Sequence, residues 1–251
     1  MEDLKKVINQ LKNGNANFDD YEDNENRIIS ILQKIGKEIV THYEIKLDDL
    51  TIDPVWVEAY YYNKYEFPDC NLHMDIKQKN NDESIYFHTR GYGGFDVCLS
   101  DNENYLSFLI KGYLIEGKYY SQTGIYEYIT STYGKEKQKD IIRQWEDLQR
   151  VLEYNPEKSK IGTKVATLQR MNLEKPTYID KPLGIFRIDS AFEKYNFSLP
   201  VSHAKTWRKA VYQIVQSNSR IESPKNNYEK LANEEVKIDG NNIFIDLQKN
   251  N

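Results

Sequence analysis

Glu58 lies in the run Val55-Trp56-Val57-Glu58-Ala59-Tyr60-Tyr61-Tyr62, which reads as a buried strand. Side chains alternate along a strand, so Val55 and Val57 project to one face and Trp56, Glu58 and Tyr60 to the other. A carboxylate on a packed face is costly unless it is paired or put to use. A sheltered Glu beside aromatic rings has the attributes of a general base. The same residue would also fit an edge strand whose polar face meets water. Thirteen residues after Tyr60, the polar loop Pro68-Asp69-Cys70-Asn71-Leu72-His73 supplies an imidazole that could sit on the rim of a site, or could be an idle surface histidine.

Metal chemistry is not expected. Cys70 and His73 have a C-x-x-H spacing, and His88 and Cys98 are near in sequence. A zinc site needs four ligands in tetrahedral geometry, and His88 and Cys98 fall on expected strands in no paired pattern. The turn Arg90-Gly91-Tyr92-Gly93-Gly94 is followed by neither Lys-Ser/Thr nor a helix, which makes the phosphate-loop reading weak. A tyrosine at the tip of such a turn fits better as a wedge against stacked bases, or as an ordinary hairpin residue. No Ser-His-Asp or Cys-His arrangement is legible.

The elements that must position these groups come from 251 residues, enough for one large domain with a substantial core. Hydrophobic residues make up 39% and charged residues 29%, and no stretch approaches the ~18 apolar residues of a spanning helix. The charged start of the chain lacks the apolar segment of a secretory signal, and two cysteines make no disulfide framework, so a reduced, cytoplasmic setting is expected. The net charge of −5 is concentrated in the first 25 residues, which hold seven acids and three lysines. The rest is close to neutral and carries basic patches, including Lys158, Lys160 and Lys164 and, further on, Lys205 and Arg208. These patches suit phosphate contact or a solvated surface equally well.

Leu4, Val7, Ile8 and Leu11 have helical spacing, as do Ile28, Ile31, Leu32, Ile35 and Ile39, with an acidic loop from Asp19 to Glu25 between them. Residues 1–45 read as an N-terminal helical extension, 46–220 as the main domain and 221–251 as a polar tail with one strand candidate at Ile243–Ile245. Strands are expected at 55–62, 84–89, 95–100, 105–113, 184–189 and 210–216. Helices are expected at 122–132 and 136–153, with a short one carrying Val165 and Leu168. Strands in the middle and helices at the ends predict an α+β fold, a central curved mixed or antiparallel sheet flanked by helices.

The series Glu58-Ala59-Tyr60, His73, the hairpin from Ile85 to Leu99 with Tyr92-Gly93, Leu109-Ile110-Lys111-Gly112 and Glu116-Gly117 resembles the alkyladenine (3-methyladenine) DNA glycosylase family in order and approximate spacing. The likeness runs over roughly 50–220 and includes 158–173 and the closing segments Ile185–Ile188 and Trp207–Gln216. The chain departs from the family in four places. The loop between Tyr60 and His73 is about four residues longer, which leaves Asp69 or His73 as the loop residue. The strand arginine is Lys111, a point charge in place of a planar bidentate donor. The family's Gly-Pro before Lys-Leu is missing. The second pocket aromatic falls on Phe87 or Thr89.

The resemblance implies a monomer acting, without metal or cofactor, on double-stranded DNA that contains an alkylated or damaged purine. The nucleotide would be flipped out of the stack. Tyr92 would fill the gap, while Tyr60, His73 and Phe87 line the base pocket and Tyr60 stacks on the base. Glu58 would activate water for attack at C1′, with Lys111 holding the substrate. Lys158, Lys160, Lys164, Lys205 and Arg208 would meet the DNA backbone. Two other readings stay open: a non-catalytic nucleic-acid-binding relative, and a protein-interaction domain with no nucleic-acid role.

Overall fold

The computed structural model describes residues 4–12, 21–79, 82–89, 93–101, 104–158, 164–168, 170, 177–178, 181–188, 197–200, 236–239 and 242–245. In chain order the helices are α1 (Leu4–Lys12), α2 (Tyr21–His42), α3 (Ile76–Lys79), α4 (Gly124–Tyr133) and α5 (Gln138–Glu146). The strands are β1 (Tyr43–Leu47), β2 (Leu50–Asn63), β3 (Phe67–Pro68), β4 (Asp82–Phe87), β5 (Phe95–Leu99), β6 (Tyr105–Ile115), β7 (Lys118–Ser121), β8 (Leu152–Tyr154), β9 (Lys164–Leu168) and β10 (Gly184–Ile188). Three more, β11 (Phe197–Pro200), β12 (Val236–Asp239) and β13 (Asn242–Ile245), form a small separate sheet.

The large sheet is antiparallel throughout and curls into a half-barrel in the order β4-β5-β6-β2-β1-β8. This is the α+β architecture expected from the clustering of strand signals. The 14-residue β2 is its spine. One edge of β2 pairs with β6 along most of its length, and the other is shared in turn by β1, β10 and β3. Register shifts on the β2–β6 pair fall at Pro54/Trp56 and Trp56/Val57. Such bulges bend a strand and sharpen its twist, so the curl begins just before Glu58.

The two faces of the sheet differ in chemistry. Val57, Ala59 and Tyr61 of β2 share a face with Ile110 and Phe108 of β6, Val97 of β5, Ile85 and Phe87 of β4 and Ile185 of β10. All are buried in one apolar core, to which α2 contributes Ile28, Leu32, Ile35 and Ile39, α1 contributes Leu4, Val7, Ile8 and Leu11, and α5 contributes Trp145. The contact between α2 and the sheet is close at Gly36, where an added Cβ would lie 2.6 Å from Ile185 Cδ1 and 3.3 Å from Phe108 Cε1. Gly36→Ala gains about 1 kcal/mol of helix propensity and loses about 1–3 kcal/mol to overpacking. We expect a net loss of order 1 kcal/mol, read as a lowered urea midpoint at unchanged m-value.

Tertiary pairing overrides helical spacing in two segments. The helix expected over 136–153 ends at Glu146. A turn follows in which Arg150 takes φ +56°, and Leu152–Tyr154 pairs with β1. Val165 and Leu168, expected on a short helix, lie in β9 and pair with β10. The acidic loop also ends earlier than expected, since α2 begins at Tyr21. The strand expected at 210–216 lies outside the described residues, whereas 243–245 falls within β13. No described helix is long and apolar enough to cross a membrane.

Two buried cations close the end of α2. Arg187 donates twice to Asp53, at 2.8 and 2.7 Å, and once to the Val40 carbonyl at 2.9 Å. Lys158 pairs with the same Asp53 and donates to the carbonyls of Ile39 and Tyr43. The carbonyls of Ile39 and Val40 are left over at a helix C-terminus, where positive charge is favourable, and that of Tyr43 opens β1. Lys158 is therefore an interior cation, 4% exposed. This corrects its expected role as a DNA-backbone contact, because an ammonium enclosed by Asp53 and helix carbonyls presents nothing to a phosphate.

Candidate active site

The second face of the sheet is buried and yet polar. Cross-strand registers set Tyr86, Asp96, Leu109 and Glu58 in one row across β4, β5, β6 and β2, with Gly184 of β10 beyond Glu58. The next row is Ser84, Cys98, Ser107 and Tyr60. Opposed residues share a face, so this face gathers two carboxylates, two serines, a thiol and two phenols.

Glu58 is fully enclosed, at 0% exposure. Its Oε2 accepts the Tyr60 hydroxyl at 3.1 Å and lies 3.6 Å from the Lys111 ammonium. Lys111 reaches it because of the bulge. Trp56 pairs with Gly112 and Val57 with Ile110, which leaves Lys111 as the extra residue on β6. Its ammonium lies 5.7 Å from the centre of the Trp56 ring. Burial, and then the charge of Glu58, push the Tyr60 phenol well above its ordinary range, with Arg170 opposing. Tyr60 thus keeps its proton and serves as a donor to the carboxylate.

Tyr60 is itself braced. The Arg170 guanidinium lies 4.7 Å from the centre of its ring, donates to the Ala59 carbonyl at 3.2 Å and forms an ion pair with Asp69. Both Arg170 and Asp69 have fully buried side chains. One face of the Tyr60 ring is therefore occupied by a cation. Of the two loop residues left open by the sequence, Asp69 is tied to Tyr60 through Arg170. His73 is exposed and lies at the outer rim. Sequence reasoning missed Arg170. It was one cation in a basic segment, and its partner lies about a hundred residues earlier.

The rim is an aromatic and imidazole group. The His73 and His88 rings are 4.7 Å apart and edge-on, with Tyr86 5.0 Å from His88. His88 Nε2 is 2.7 Å from Asp96 Oδ1, while Asp96 Oδ2 accepts Gln78 Nε2 at 2.9 Å and Ser107 Oγ at 3.0 Å. Burial alone would lower the His88 pKa and Lys111 adds to that, but the charge and hydrogen bond of Asp96 outweigh both and raise it above 6.5. His88⁺ then stabilises the fold fully below about pH 6.5, and this is lost as pH rises through the higher folded value. The His88→Gln loss in melting temperature should therefore be larger at pH 5.5 than at pH 8.5, as thermal scans at both values would show.

Phe87, expected to line a base pocket, faces the opposite side of the sheet from Glu58. It pairs with Phe95, faces the apolar core and packs against Phe95, Tyr126 and Trp145. The period of two along β4 gives the site face to Tyr86 instead. Thr89, the other candidate, is exposed beyond the end of β4. Tyr92, Lys160, Lys205 and Arg208 lie outside the described residues, and Lys164 is the first residue of β9. Among the described residues no group of three His, Cys, Asp or Glu is arranged to hold a metal ion.

No protein-family model and no curated protein matches this chain. The functional reading therefore rests on the site and on the order of motifs in the sequence.

Proposed function

We propose that the chain is a base-excision DNA glycosylase that hydrolyses the N-glycosidic bond of a flipped, damaged purine. The single observation that carries this reading is the convergence of Tyr60 and Lys111 on one oxygen of the enclosed Glu58. A carboxylate fixed from two sides can take a proton from water and offset the positive charge that grows on the sugar as the base departs. Lys111 holds Glu58 in register and offers a cation to the nucleotide. Tyr60 orients the carboxylate and presents its remaining ring face to the base. Water is the nucleophile, so no lyase step is expected. Tyr92 fills the gap in the duplex, and Lys160, Lys164, Lys205 and Arg208 supply phosphate contacts.

One observation favours a second reading. Glu58 at 0% exposure and Lys111 at 7% already neutralise each other, as they would in a non-catalytic relative that binds DNA on the same scaffold. Incubation of the protein with methylated duplex DNA, with free base quantified and binding titrated at two salt concentrations, separates the readings. Base release with steep salt dependence supports the enzyme. Binding without release supports the relative. Weak, salt-insensitive binding without release supports a protein-interaction domain and contradicts both.

A further inference from the structure

We infer that the segment 69–79 is a strap latched across the polar face of the sheet, and that a ligand reaches Glu58 only when the strap lifts. This rests on the reading of Glu58 proposed above and adds its regulation: the enclosed face is the closed state of the site.

The strap leaves the short strand β3 and ends in α3. Its contacts fall on the residues that hold or flank Glu58. Leu72, 5% exposed, packs with Tyr60 and Leu109, and Met74 adds to the same cluster. Tyr60 donates to Glu58, and Leu109 is paired directly opposite it. A side chain packed on both neighbours of Glu58 helps to keep water from the carboxylate. One end of the strap is tied by Asp69, paired with Arg170, and by Asn71, whose Nδ2 donates to the Thr177 carbonyl at 2.9 Å. The other end is tied through α3. Gln78 Nε2 donates to Asp96 Oδ2 at 2.9 Å, Lys77 pairs with Glu146 of α5, and the Lys79 ammonium lies 5.7 Å from the centre of the Tyr105 ring.

These latches are mostly polar. Leu72 is the one strap residue that is both apolar and buried, Asp69 and Gln78 are buried as hydrogen-bonding groups, and Ile76 is turned to solvent at 71% exposure. The opposite face of the sheet is sealed by a continuous apolar core shared with α1, α2 and α5. A segment held by few apolar contacts opens at lower free energy than the core beneath it. The four-residue α3 adds little, because so short a helix does not persist alone. Met74 takes φ +54°, a left-handed conformation whose strain is relieved when the strap is released.

The chain carries its own reporter of this motion. Cys98 lies on the covered face, opposite Ser84 and Ser107, at 0% exposure. It is two residues along β5 from the Asp96 that holds Gln78. Burial, and then the carboxylates of Asp96, Glu146 and Asp75, push its thiol well above the ordinary range, so it is unreactive while covered. Cys70, the second of the two cysteines, is exposed on the strap itself.

Cys70→Ser leaves Cys98 as the single thiol, which is then labelled with methyl methanethiosulfonate at pH 8 over a urea series below the unfolding midpoint. Lifting a strap exposes little surface, so the labelling rate is expected to be nearly independent of urea until global unfolding takes over. In the same background Gln78→Ala should speed the urea-independent route by about 10-fold or more. Gly36→Ala, which acts on α2 at the other face, should leave it unchanged. Base release from sub-saturating methylated duplex should rise with the labelling rate in Gln78→Ala. Labelling that proceeds only with the urea dependence of global unfolding overturns the inference, as does equal acceleration by Gln78→Ala and Gly36→Ala. Faster labelling with unchanged release overturns the control of the site by the strap. No release by any of these proteins overturns the reading of Glu58 and leaves the strap to be judged by labelling alone. If Gln78→Ala fails to fold, the urea series of the Cys70→Ser protein decides.

Discussion

Glu58→Gln is expected to slow base release by about 10²–10⁴-fold, the range over which a positioned general base acts. The amide keeps the shape of the side chain and still accepts the Tyr60 hydroxyl, now 3.1 Å from Oε2. It takes no proton from water and sets no negative charge against the developing sugar cation. The substitution also strips Lys111 of its counter-charge inside the protein, which costs up to about 3–5 kcal/mol. Activity and thermal unfolding must therefore be measured together. The double variant Glu58→Gln/Lys111→Met removes both charges and should recover stability without recovering release. Recovery of release along with stability would show that Glu58 matters only for folding.

A second large effect on stability is expected at Asp53. Asp53→Asn leaves Arg187 and Lys158 facing each other at the end of α2 with no anion between them. Breaking a buried pair costs about 3–5 kcal/mol, and partial exposure of Asp53 places the loss near the lower end of that range. For a chain of this size that is a fall in melting temperature on the order of 10 °C. Lys158→Met should behave quite differently. Burial, only partly opposed by Asp53, pulls the Lys158 pKa down to about 8, so the charged ammonium is disfavoured inside the fold. Its removal leaves the two-pronged Arg187–Asp53 pair and should change stability by no more than about 1 kcal/mol. The sign of the pH dependence follows from the lowered value. The penalty is fully present below about pH 8 and is relieved as pH rises toward 10.5, so the wild type gains on Lys158→Met over that window. Urea denaturation at pH 7 and pH 10 measures this directly. Equal losses for the two variants would refute the asymmetry.

The strand around Glu58 was legible because a run of apolar and aromatic residues is broken there only by one carboxylate. The same logic applies to Phe95-Asp96-Val97-Cys98-Leu99, where a lone carboxylate again interrupts an apolar strand. That signal marks Asp96 as a second buried acid, whereas its pairing with His88 is set by the β4–β5 hairpin. Phe87 was misplaced because one position along a strand exchanges the two faces of a sheet, and only the hairpin register decides which aromatic faces the site. Leu152, Val165 and Leu168 fit helical spacing, yet they sit on strands because β1 and β10 offer unpaired edges to them. Lys158 read as a surface cation because nothing near it in sequence announces Asp53, more than a hundred residues earlier. The pairing of Arg170 with Asp69 was beyond local reading for the same reason.

The central claim is that the enclosed Glu58 is set against positive charge growing on a sugar. It is tested most directly by the affinity for a duplex carrying a cationic pyrrolidine in place of the target sugar, compared with a neutral tetrahydrofuran in the same position. An enzyme complementary to its transition state should prefer the cation by about 10²-fold or more, and Glu58→Gln should erase the preference while leaving affinity for the neutral duplex unchanged. Equal affinity of the wild-type protein for the two duplexes would contradict the account.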